Sequence, residues 1–353
     1  MLIVDGIVFS LQHVGGISVY FMELLSRLSN MGVPTQVNVF DAAAASRMKG
    51  IGLPVVRSRA RVFERYRKCR LTTQATVFHS SYYRLPTTRN VPVVTTVYDF
   101  TYERLVSGPR RWLHSSQKFA AIRRSNAIIC ISEATLHDLV EFVPDVNPER
   151  IKVIHLAASN AFAPIPGLAS DRFKRPCILF VGTRDGYKSY SKVVEAAARL
   201  SNVDLVIVGG GSLRQQEDEQ LHRLLPGRHR HVGNVTSAEL NILYNTALCL
   251  VYPSLYEGFG LPVVEAMRAG CPVIAVGNSA IREIAADAAL LVPAPEPDLL
   301  HDAIVKLLDP GEHKAFRDRG ILRARIFNWE KTFGQTIDVY ENLLGHSLRL
   351  RHQ

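Results

Sequence analysis

Two glutamates flank a glycine-containing bend in the segment YEGFGLPVVEAMRAGCPVIA, residues 256–275. Glu257 lies before Gly258 and Gly260, and Glu265 lies after them. Glycine lets a backbone approach a ligand closely, and the free N–H groups at a helix start donate hydrogen bonds to oxygen atoms. Carboxylates accept hydrogen bonds from hydroxyl groups. The segment therefore suits a ligand with many hydroxyls, although a capped helix with two exposed acids would have the same sequence.

The residues around this bend predict a strand, a loop and a helix. The apolar run LCLVYPS precedes the bend and is typical of a buried strand. Pro262 is well placed as the first residue of a helix and Gly270 as its end, which would put Glu265 in the first helical turn. Open parallel sheets usually bind ligands at the carboxyl ends of their strands, where this loop would lie.

The stretch EGFGLPVVE resembles the E-x7-E motif of the retaining glycosyltransferases of family 4, which have the GT-B fold. The resemblance extends over nearly the whole chain. It implies that Glu265 binds the ribose hydroxyls of a nucleotide-sugar and that Glu257 contacts the hydroxyls of the transferred sugar. The bend between the two glutamates would complete the donor site with Gly258, Phe259, Gly260 and Leu261.

A second segment, FVGTRDGYKSY at 180–190, resembles the part of the family that binds the donor diphosphate. The resemblance implies that Arg184 and Lys188 are its ligands. Two cations aimed at the leaving nucleoside diphosphate would stabilise the charge that develops there, as a metal ion does in other enzymes. We therefore expect no metal cofactor. Outside this context, an arginine and a lysine after a strand would be interpreted as a surface pair.

Two segments of the first half are also similar to the family. QHVGGISVY contains a Gly-Gly loop of the kind that approaches the donor phosphate and sugar, which implies this role for Gly15 and Gly16. VVTTVYDFTYE resembles a segment in which many members have His-Asp. Here Tyr98 precedes Asp99, and a tyrosine cannot become an imidazolium at neutral pH. Asp99 is therefore the candidate catalytic residue of this segment.

Two further resemblances are weaker. VFHSSYY is similar to an acceptor-side segment and makes His79 a candidate there, but a structural histidine at a strand end would have the same sequence. The triple glycine at 209–211 follows LVIV and matches the family, which implies a donor-side turn.

Apolar runs of strand length alternate with longer helical patterns in both halves, which predicts an α/β protein with parallel sheets. The GT-B fold implies two Rossmann-like domains that face each other across a cleft. We expect an acceptor-binding domain at 1–165, a nucleotide-sugar-binding domain at 166–330 and a closing helix within 331–353 that packs back on the first domain. A stretch rich in proline, glycine and alanine at 160–176 predicts the linker. The predicted first strand is LIVDGIVF.

The net charge of +10 lies almost entirely in the first half, because residues 1–165 carry 20 Lys/Arg against 11 Asp/Glu. Seven basic residues fall within 57–70, opposed only by Glu64. Such a patch favours anionic partners, and we expect an anionic membrane surface or a lipid-linked phosphate. A solvated, charged helix face is the competing interpretation. No recognised motif supports nucleic acid as the partner.

The cysteines and apolar runs indicate the cellular compartment in which the protein is expected. Its five cysteines are widely spaced and lack metal-binding spacing, which favours free thiols in a reducing compartment. No apolar run approaches the roughly 18–20 residues that span a bilayer, and MLIVDGIVF lacks the charged start of a signal peptide. We therefore expect a cytoplasmic protein, with peripheral attachment to the inner face of the membrane.

The predicted function is retaining transfer of a hexose from a nucleotide-sugar to a glycan or lipid-diphosphate-linked acceptor in surface-polysaccharide assembly. The GYKN-like segment resembles transferases that use GDP-mannose or a GDP-deoxyhexose, with a UDP-hexose as the second choice. A nucleotide-sugar 2-epimerase shares the two-domain architecture and would be a different enzyme on the same fold. An inactive scaffold that only binds nucleotide is a third interpretation, although the retained charged residues argue against it.

Overall fold

The computed structural model describes residues 1–12, 15–168 and 175–348, and the chain forms two compact units. The first unit comprises Met1–Leu156 together with Trp329–Gln353, and the second comprises Ala157–Asn328. Each unit contains one parallel sheet, as expected for a GT-B protein.

The sheet of the first unit has seven strands in the order β3-β2-β1-β4-β5-β6-β7. Its strands are β1 (Leu2–Asp5), β2 (Thr35–Val39), β3 (Val55–Arg57), β4 (Val77–Ser80), β5 (Val93–Val97), β6 (Ala127–Cys130) and β7 (Ile151–Val153). Its helices are α1 (Val8–Leu11), α2 (Gly16–Asn30), α3 (Ala42–Arg47), α4 (Thr101–Leu105), α5 (Pro109–Arg124), α6 (Glu133–Phe142) and, at the end of the chain, α14 (Trp329–Leu344).

The first strand is shorter than the apolar run LIVDGIVF predicts. Strand β1 ends at Asp5, and Val8–Leu11 form a short helix instead of continuing the strand. The break occurs at Gly6, whose N–H donates to the Asn38 carbonyl at 2.7 Å. A Cβ atom at Gly6 would lie only 2.7 Å from that same oxygen, so this turn requires glycine.

Helix α2 is amphipathic and buries one face, formed mainly by Tyr20, Phe21, Leu24, Leu25 and Leu28. The final helix, α14, packs against α2 and β4. Its Tyr340 is fully buried, and Thr332 donates to the carbonyl of His155 at 2.8 Å.

The sheet of the second unit has six strands in the order β10-β9-β8-β11-β12-β13. Its strands are β8 (Cys177–Val181), β9 (Asp204–Val208), β10 (His229–Gly233), β11 (Cys249–Tyr252), β12 (Val273–Val276) and β13 (Leu290–Val292). Its helices are α7 (Tyr190–Ala198), α8 (Gln215–Leu224), α9 (Ser237–Thr246), α10 (Leu261–Ala269), α11 (Ser279–Ala285), α12 (Pro297–Leu307) and α13 (Pro310–Ala324).

Strand order in the second unit creates a topological switch point between β8 and β11. From β8 the sheet grows through β9 and β10 on one side and through β11 to β13 on the other. The loops that leave the carboxyl ends of these two central strands therefore diverge, which opens a crevice where such sheets bind ligands. The segments with the candidate residues Lys188 and Glu257 are these two loops.

The described part of the predicted linker is packed rather than free. Asn241 and Asn245 of α9 accept hydrogen bonds from the N–H groups of Ala163 and Ile165 at 3.1 and 2.7 Å. These contacts place residues 157–168 in the second unit, whereas 169–174 lie outside the described residues.

The basic segment 57–70 is not a helix, so the interpretation as a solvated helix face is wrong. It contains the end of β3, a 3₁₀ turn at Glu64–Tyr66 and extended chain. Glu64 fixes this path because its carboxylate accepts from Arg61 at 2.7 Å and from the fully buried Arg84 at 2.6 Å. Between these contacts, Val62 and Phe63 are 73% and 75% exposed.

The five cysteines are buried free thiols, which confirms the prediction. Among the described residues, no helix is both long and apolar enough to cross a membrane.

Candidate functional site

The loops after β8 and β11 bring Lys188 and Glu257 together. Lys188 ends a 3₁₀ turn at Gly186–Lys188, and its Nζ atom contacts a carboxylate oxygen of Glu257. Both side chains are only slightly exposed, at 12% and 14%. The pair therefore lies at the crevice with its charges partly shielded from water, which strengthens their effect on a ligand.

Tyrosines support this pair. The hydroxyl of Tyr252, the last residue of β11, lies 3.2 Å from Nζ of Lys188. The rings of Tyr252 and Tyr187 lie 5.1 and 5.2 Å from the same ammonium group, within the range of cation–π attraction. The N–H of Leu255 donates to the carbonyl of Tyr187 at 2.9 Å and joins the two loops directly.

The bend at Gly258–Leu261 has the close packing that its glycines predict. Gly260 has a φ of +93°, and a Cβ atom there would lie 2.6 Å from Cδ1 of Ile281. Phe259 is 3% exposed, and its ring meets Phe327 edge-on at 5.7 Å. The side chain of Phe259 therefore anchors the bend in the core. Leu261 begins helix α10 and is partly exposed.

Glu265 lies beyond the first turn of α10, which corrects the sequence prediction, because the helix begins at Leu261 rather than at Pro262. The Tyr244 hydroxyl lies 3.5 Å from its carboxylate. Burial raises the pKa of Glu265 from an ordinary 4.5 to about 7, and the hydrogen bond from Tyr244 opposes the rise only in part. A carboxylate can accept several hydrogen bonds, and the contact of Glu265 with Tyr244 is long. Glu265 could therefore accept hydrogen bonds from the hydroxyl groups of a ligand.

The side chains of Arg184 and Lys188 have different partners, although the sequence predicts that they share one ligand. The Arg184 side chain is 2% exposed and donates to Glu217 and to the carbonyls of 209–212, all within the protein. Its assignment as a diphosphate ligand remains a prediction.

In the first unit, Asp99 lies in the turn between β5 and α4. Its Oδ1 accepts from the N–H of Thr101 at 2.9 Å, and its backbone carbonyl accepts from Nζ of Lys118 at 2.9 Å. Lys118 is fully buried and pairs with Glu103 at 2.7 Å. Burial alone would raise the pKa of Glu103, but the nearby His114, the hydrogen bonds from Lys118 and Ser115 and the charge of Lys118 lower it to about 2. The turn that carries Asp99 is therefore held by a buried ion pair.

The glycine pair also lies in the first unit, at the start of α2. Gly15 is the N-cap, its N–H lies 3.1 Å from Oγ of Ser18, and its carbonyl accepts from that hydroxyl at 2.8 Å. Gly16 is the first residue of the helix and is exposed. His13 and Val14, from the same quoted segment, lie outside the described residues.

His79 and Tyr98 are core residues, and the acceptor-side prediction for His79 is wrong. His79 is fully buried between the hydroxyls of Tyr340 and Thr96 at 2.6 and 2.9 Å, and burial lowers its pKa to about 3. Tyr98 is 4% exposed and donates to the carbonyl of Ser81 at 3.4 Å. Neither side chain is presented to a ligand in the first unit.

Sequence reasoning missed the residues that hold the site in place. Tyr252, Tyr244 and Glu217 each contact a predicted site residue, yet each lies within an ordinary helix or strand pattern. A buried tyrosine needs a hydrogen-bond partner, and this is the only signal that could have pointed to the first two.

Comparisons with known proteins agree with this geometry. Residues 14–158 match Glycosyltransferase Family 4, and residues 170–322 match Glycosyl transferases group 1. The chain is 26% identical over 371 residues to O-antigen chain mannosyltransferase B of Escherichia coli, covering 93% of this chain and 96% of the relative. It is 31% identical over 249 residues to MMP alpha-(1->4)-mannosyltransferase of Mycolicibacterium hassiacum, covering 67% of this chain and 59% of the relative.

A solved structure matches the fold over almost its full length. HepE of Anabaena, in complex with UDP, has a TM-score of 0.77 and 16% identity, covering 97% of this chain and 99% of HepE. Together with the two parallel sheets, the family matches identify the chain as a glycosyltransferase of the GT-B fold, with a family 4 domain followed by a group 1 domain.

Proposed function

We propose that the enzyme transfers a mannose or deoxymannose from a GDP-sugar, with retention of configuration, to a glycan or lipid-diphosphate-linked acceptor in surface-polysaccharide assembly. The contact between Lys188 and Glu257 at the β8–β11 crevice carries the transferase part of the proposal. The two mannosyltransferase relatives support the choice of sugar.

The roles of the residues follow from their charges and positions. When a donor binds, Glu257 would accept hydrogen bonds from sugar hydroxyls, Glu265 would accept from ribose hydroxyls, and Lys188 would contact the diphosphate. For Gly15, Gly16 and Asp99 of the first unit, the donor-binding role that the family resemblance implies stays a prediction.

The chemical step exchanges one bond for another at the anomeric carbon. Its bond to the diphosphate oxygen breaks and a bond to the acceptor hydroxyl oxygen forms on the same face, which retains the configuration. The acceptor's proton passes to the leaving phosphate oxygen, and Lys188 stabilises the charge on the leaving group. No covalent enzyme intermediate is required.

We propose that the reaction needs no metal ion, because Lys188 is placed to supply the positive charge. The described residues contain a possible ligand group on α6, made of His137, Asp138 and Glu141. Arg104 already pairs with both carboxylates of this group, at 2.5 and 2.6 Å.

A donor panel tests the proposal. Purified enzyme is incubated with GDP-mannose, a GDP-deoxyhexose, UDP-glucose and UDP-N-acetylglucosamine, and products are scored by release of nucleoside diphosphate. We expect release from a GDP-sugar and a thermal shift with GDP larger than with UDP. Turnover of UDP-sugars alone would instead support a UDP-hexose as the donor. HepE, which has a similar fold, has been solved in complex with UDP.

The same panel distinguishes a transferase from a 2-epimerase and from an inactive scaffold. A 2-epimerase would convert the sugar of the nucleotide-sugar without releasing nucleoside diphosphate. An inactive scaffold would bind nucleotide and leave every donor unchanged.

We also propose that segment 57–70 attaches the enzyme to an anionic membrane. The segment has two exposed apolar residues, Val62 and Phe63, and five exposed basic residues: Arg57, Arg59, Arg67, Lys68 and Arg70. Each basic residue near an anionic surface contributes about 1 kcal/mol, so several together give reversible, salt-sensitive binding. An exposed phenylalanine adds apolar area that can enter the headgroup region.

Liposome co-sedimentation tests this attachment. Because Arg61 and Arg65 make contacts within the protein, the charge reversal is placed on Arg57, Arg59 and Lys68. Binding should require anionic lipid, fall with added salt and decrease in the triple glutamate variant and in Phe63→Ser. Equal sedimentation of the wild type with neutral liposomes would contradict the proposal.

A further inference from the structure

Every nitrogen of the Arg184 side chain donates to a group of its own unit. Nε donates to Glu217 at 2.8 Å and Nη1 to the Gly209 carbonyl at 3.0 Å. Nη2 lies within 2.7–3.3 Å of the carbonyls of Gly210, Gly211 and Ser212. A guanidinium has five N–H donors, and here each of its three nitrogens already has a partner.

The acceptors converge because of the triple glycine after β9. Gly209, Gly210 and Gly211 have φ values of +83°, +74° and +69°, a run of left-handed residues that only glycine adopts readily. A Cβ atom on Gly210 would lie 2.4 Å from Nη1 of Arg184 and 3.0 Å from the carbonyl of Gly182. The turn and the guanidinium therefore fit each other: the backbone angles favour glycine at all three positions, and Gly210 also lacks space for a side chain.

Glu217 and Arg214 close this arrangement into a network. Glu217, in the first turn of α8, accepts from Arg184 and also from the N–H and Nε of Arg214, both at 2.9 Å. Arg214 in turn donates to the carbonyl of Arg184 at 3.0 Å. Burial raises the pKa of Glu217, but these hydrogen bonds and charges outweigh it and lower the pKa overall. The network thus connects the loop after β8, the turn after β9 and the start of α8.

We infer that Arg184 is a positioning residue, which holds the 209–212 turn and the loop carrying Lys188 in place, and that it is not a ligand of the donor diphosphate. This inference rests on the proposed function for the role of Lys188. To reach a phosphate, Arg184 would have to leave four carbonyls and a carboxylate. Glu217 would keep Arg214 as a partner, whereas the carbonyls of Gly210, Gly211 and Ser212 would lose the hydrogen bond from Arg184. Lys188, four residues later on the same loop, donates to Tyr252 and Glu257 and stays at the crevice.

Replacing Glu217 distinguishes the two roles of Arg184 by the sign of the effect. If Arg184 bound the diphosphate, Glu217→Gln would release its guanidinium and tighten nucleoside diphosphate binding. If Arg184 is a positioning residue, Glu217→Gln and Arg184→Gln impair the same network. Both should lower kcat by roughly 10–100-fold, since a misplacement of about 1 Å has effects of this size. Gly210→Ala should resemble them.

The ratio of nucleoside diphosphate to nucleoside monophosphate affinity, measured by calorimetry, is the second readout. Lys188→Gln is the matched control and should reduce the ratio about tenfold or more. Arg184→Gln and Glu217→Gln should leave it within about threefold of the wild type. A reduced ratio in Arg184→Gln together with tighter binding in Glu217→Gln would overturn the inference.

Arg184→Lys is a second variant that tests the inference if Arg184→Gln does not fold. Lysine keeps the charge but cannot reach five acceptors in a plane, so it should not restore kcat; substantial restoration would favour a phosphate ligand.

Thermal unfolding is a third readout and does not depend on the substrate. Arg184→Gln and Glu217→Gln should each lower Tm by roughly 5–15 °C and Lys188→Gln by much less, because breaking a buried ion pair is costly. A protein that binds no nucleotide would refute the proposed function, whereas unchanged Tm values would refute the network.

Discussion

Replacing Glu265 with glutamine should make the protein more stable and a poorer nucleotide binder. Burial raises the pKa of this carboxyl from 4.5 to about 7, so its ionised form is disfavoured in the folded chain. Because part of the residue is still accessible to water, the change corresponds to a cost of at most about 3 kcal/mol for holding the carboxylate ionised. Glutamine has nearly the same shape and hydrogen-bonding atoms but no charge, so it should remove this cost.

The sign of the pH dependence follows from the raised pKa. Between about pH 4.5 and 7 the folded protein holds a proton on Glu265 that the unfolded chain has released, so this group makes stability fall as pH rises through that range. Above pH 7 the folded protein has the full cost of holding Glu265 ionised. Glu265→Gln should therefore raise Tm by up to about 6–12 °C at pH 8, for a unit of this size, and by little at pH 4.5.

Binding should respond in the opposite direction. The carboxylate that destabilises the fold is the group that would accept the ribose hydroxyls, and losing a charged hydrogen bond costs about 1.5–3 kcal/mol. Glu265→Gln should thus weaken nucleotide-sugar binding roughly 10–150-fold at pH 8. Wild-type affinity should fall below pH 7 by up to about tenfold per pH unit, whereas the variant should show no such fall.

Differential scanning calorimetry and isothermal titration over pH 5–8 measure both effects on the same samples. A nucleotide-sugar is the preferred ligand, because its bridging diphosphate does not titrate in this range. Asp185→Asn is the control for a general change of charge, because Asp185 is an exposed acid on the loop after β8. Lower stability of Glu265→Gln at pH 8, or unchanged nucleotide affinity, would refute the reasoning.

Three other changes have defined outcomes. Lys188→Ala should lower kcat about 100-fold or more, by comparison with loss of one oxyanion donor, and steady-state kinetics with a saturating donor would detect it. Activity should survive EDTA, and loss of turnover that magnesium or manganese restores would contradict the metal-free mechanism. Lys118→Met should destabilise the protein by about 3–5 kcal/mol in urea unfolding, because it leaves the buried Glu103 without its cation; the double change to Lys118→Met and Glu103→Leu should recover part of that loss.

The sequence could predict the parallel strands and the loops that follow them, because apolar runs and glycine stops are local signals. It could also predict that Lys188 and Glu257 lie at strand ends. Their contact depends on β8 and β11 being neighbours in the sheet, although two strands lie between them in the chain. Only the family resemblance, and not the residue pattern, contained that information.

Two candidates could not be judged from sequence because their surroundings come from distant segments. Arg184 is surrounded by carbonyls 25–28 residues further along the chain, and His79 shares a hydrogen bond with Tyr340 in the last helix. A sequence shows that a residue is charged or titratable. It does not show whether the protein itself already satisfies that group.

That distinction separates the charged residues of the second unit into two kinds. Arg184 and Glu217 are buried with their hydrogen-bonding atoms directed at protein partners, which is the arrangement that makes a polar group structural. Glu265 instead has a raised pKa and, within the described part of the chain, one long side-chain hydrogen bond, from Tyr244. Lys188 and Glu257 contact each other at the edge of the crevice, where Tyr252 also contacts Lys188. Folding alone gives no reason to keep an incompletely satisfied carboxylate there, since glutamine would be more stable. A ligand with hydroxyl groups and a diphosphate does give a reason to keep it, because the ligand would supply hydrogen-bond partners for Glu265 and Glu257 and a charge partner for Lys188.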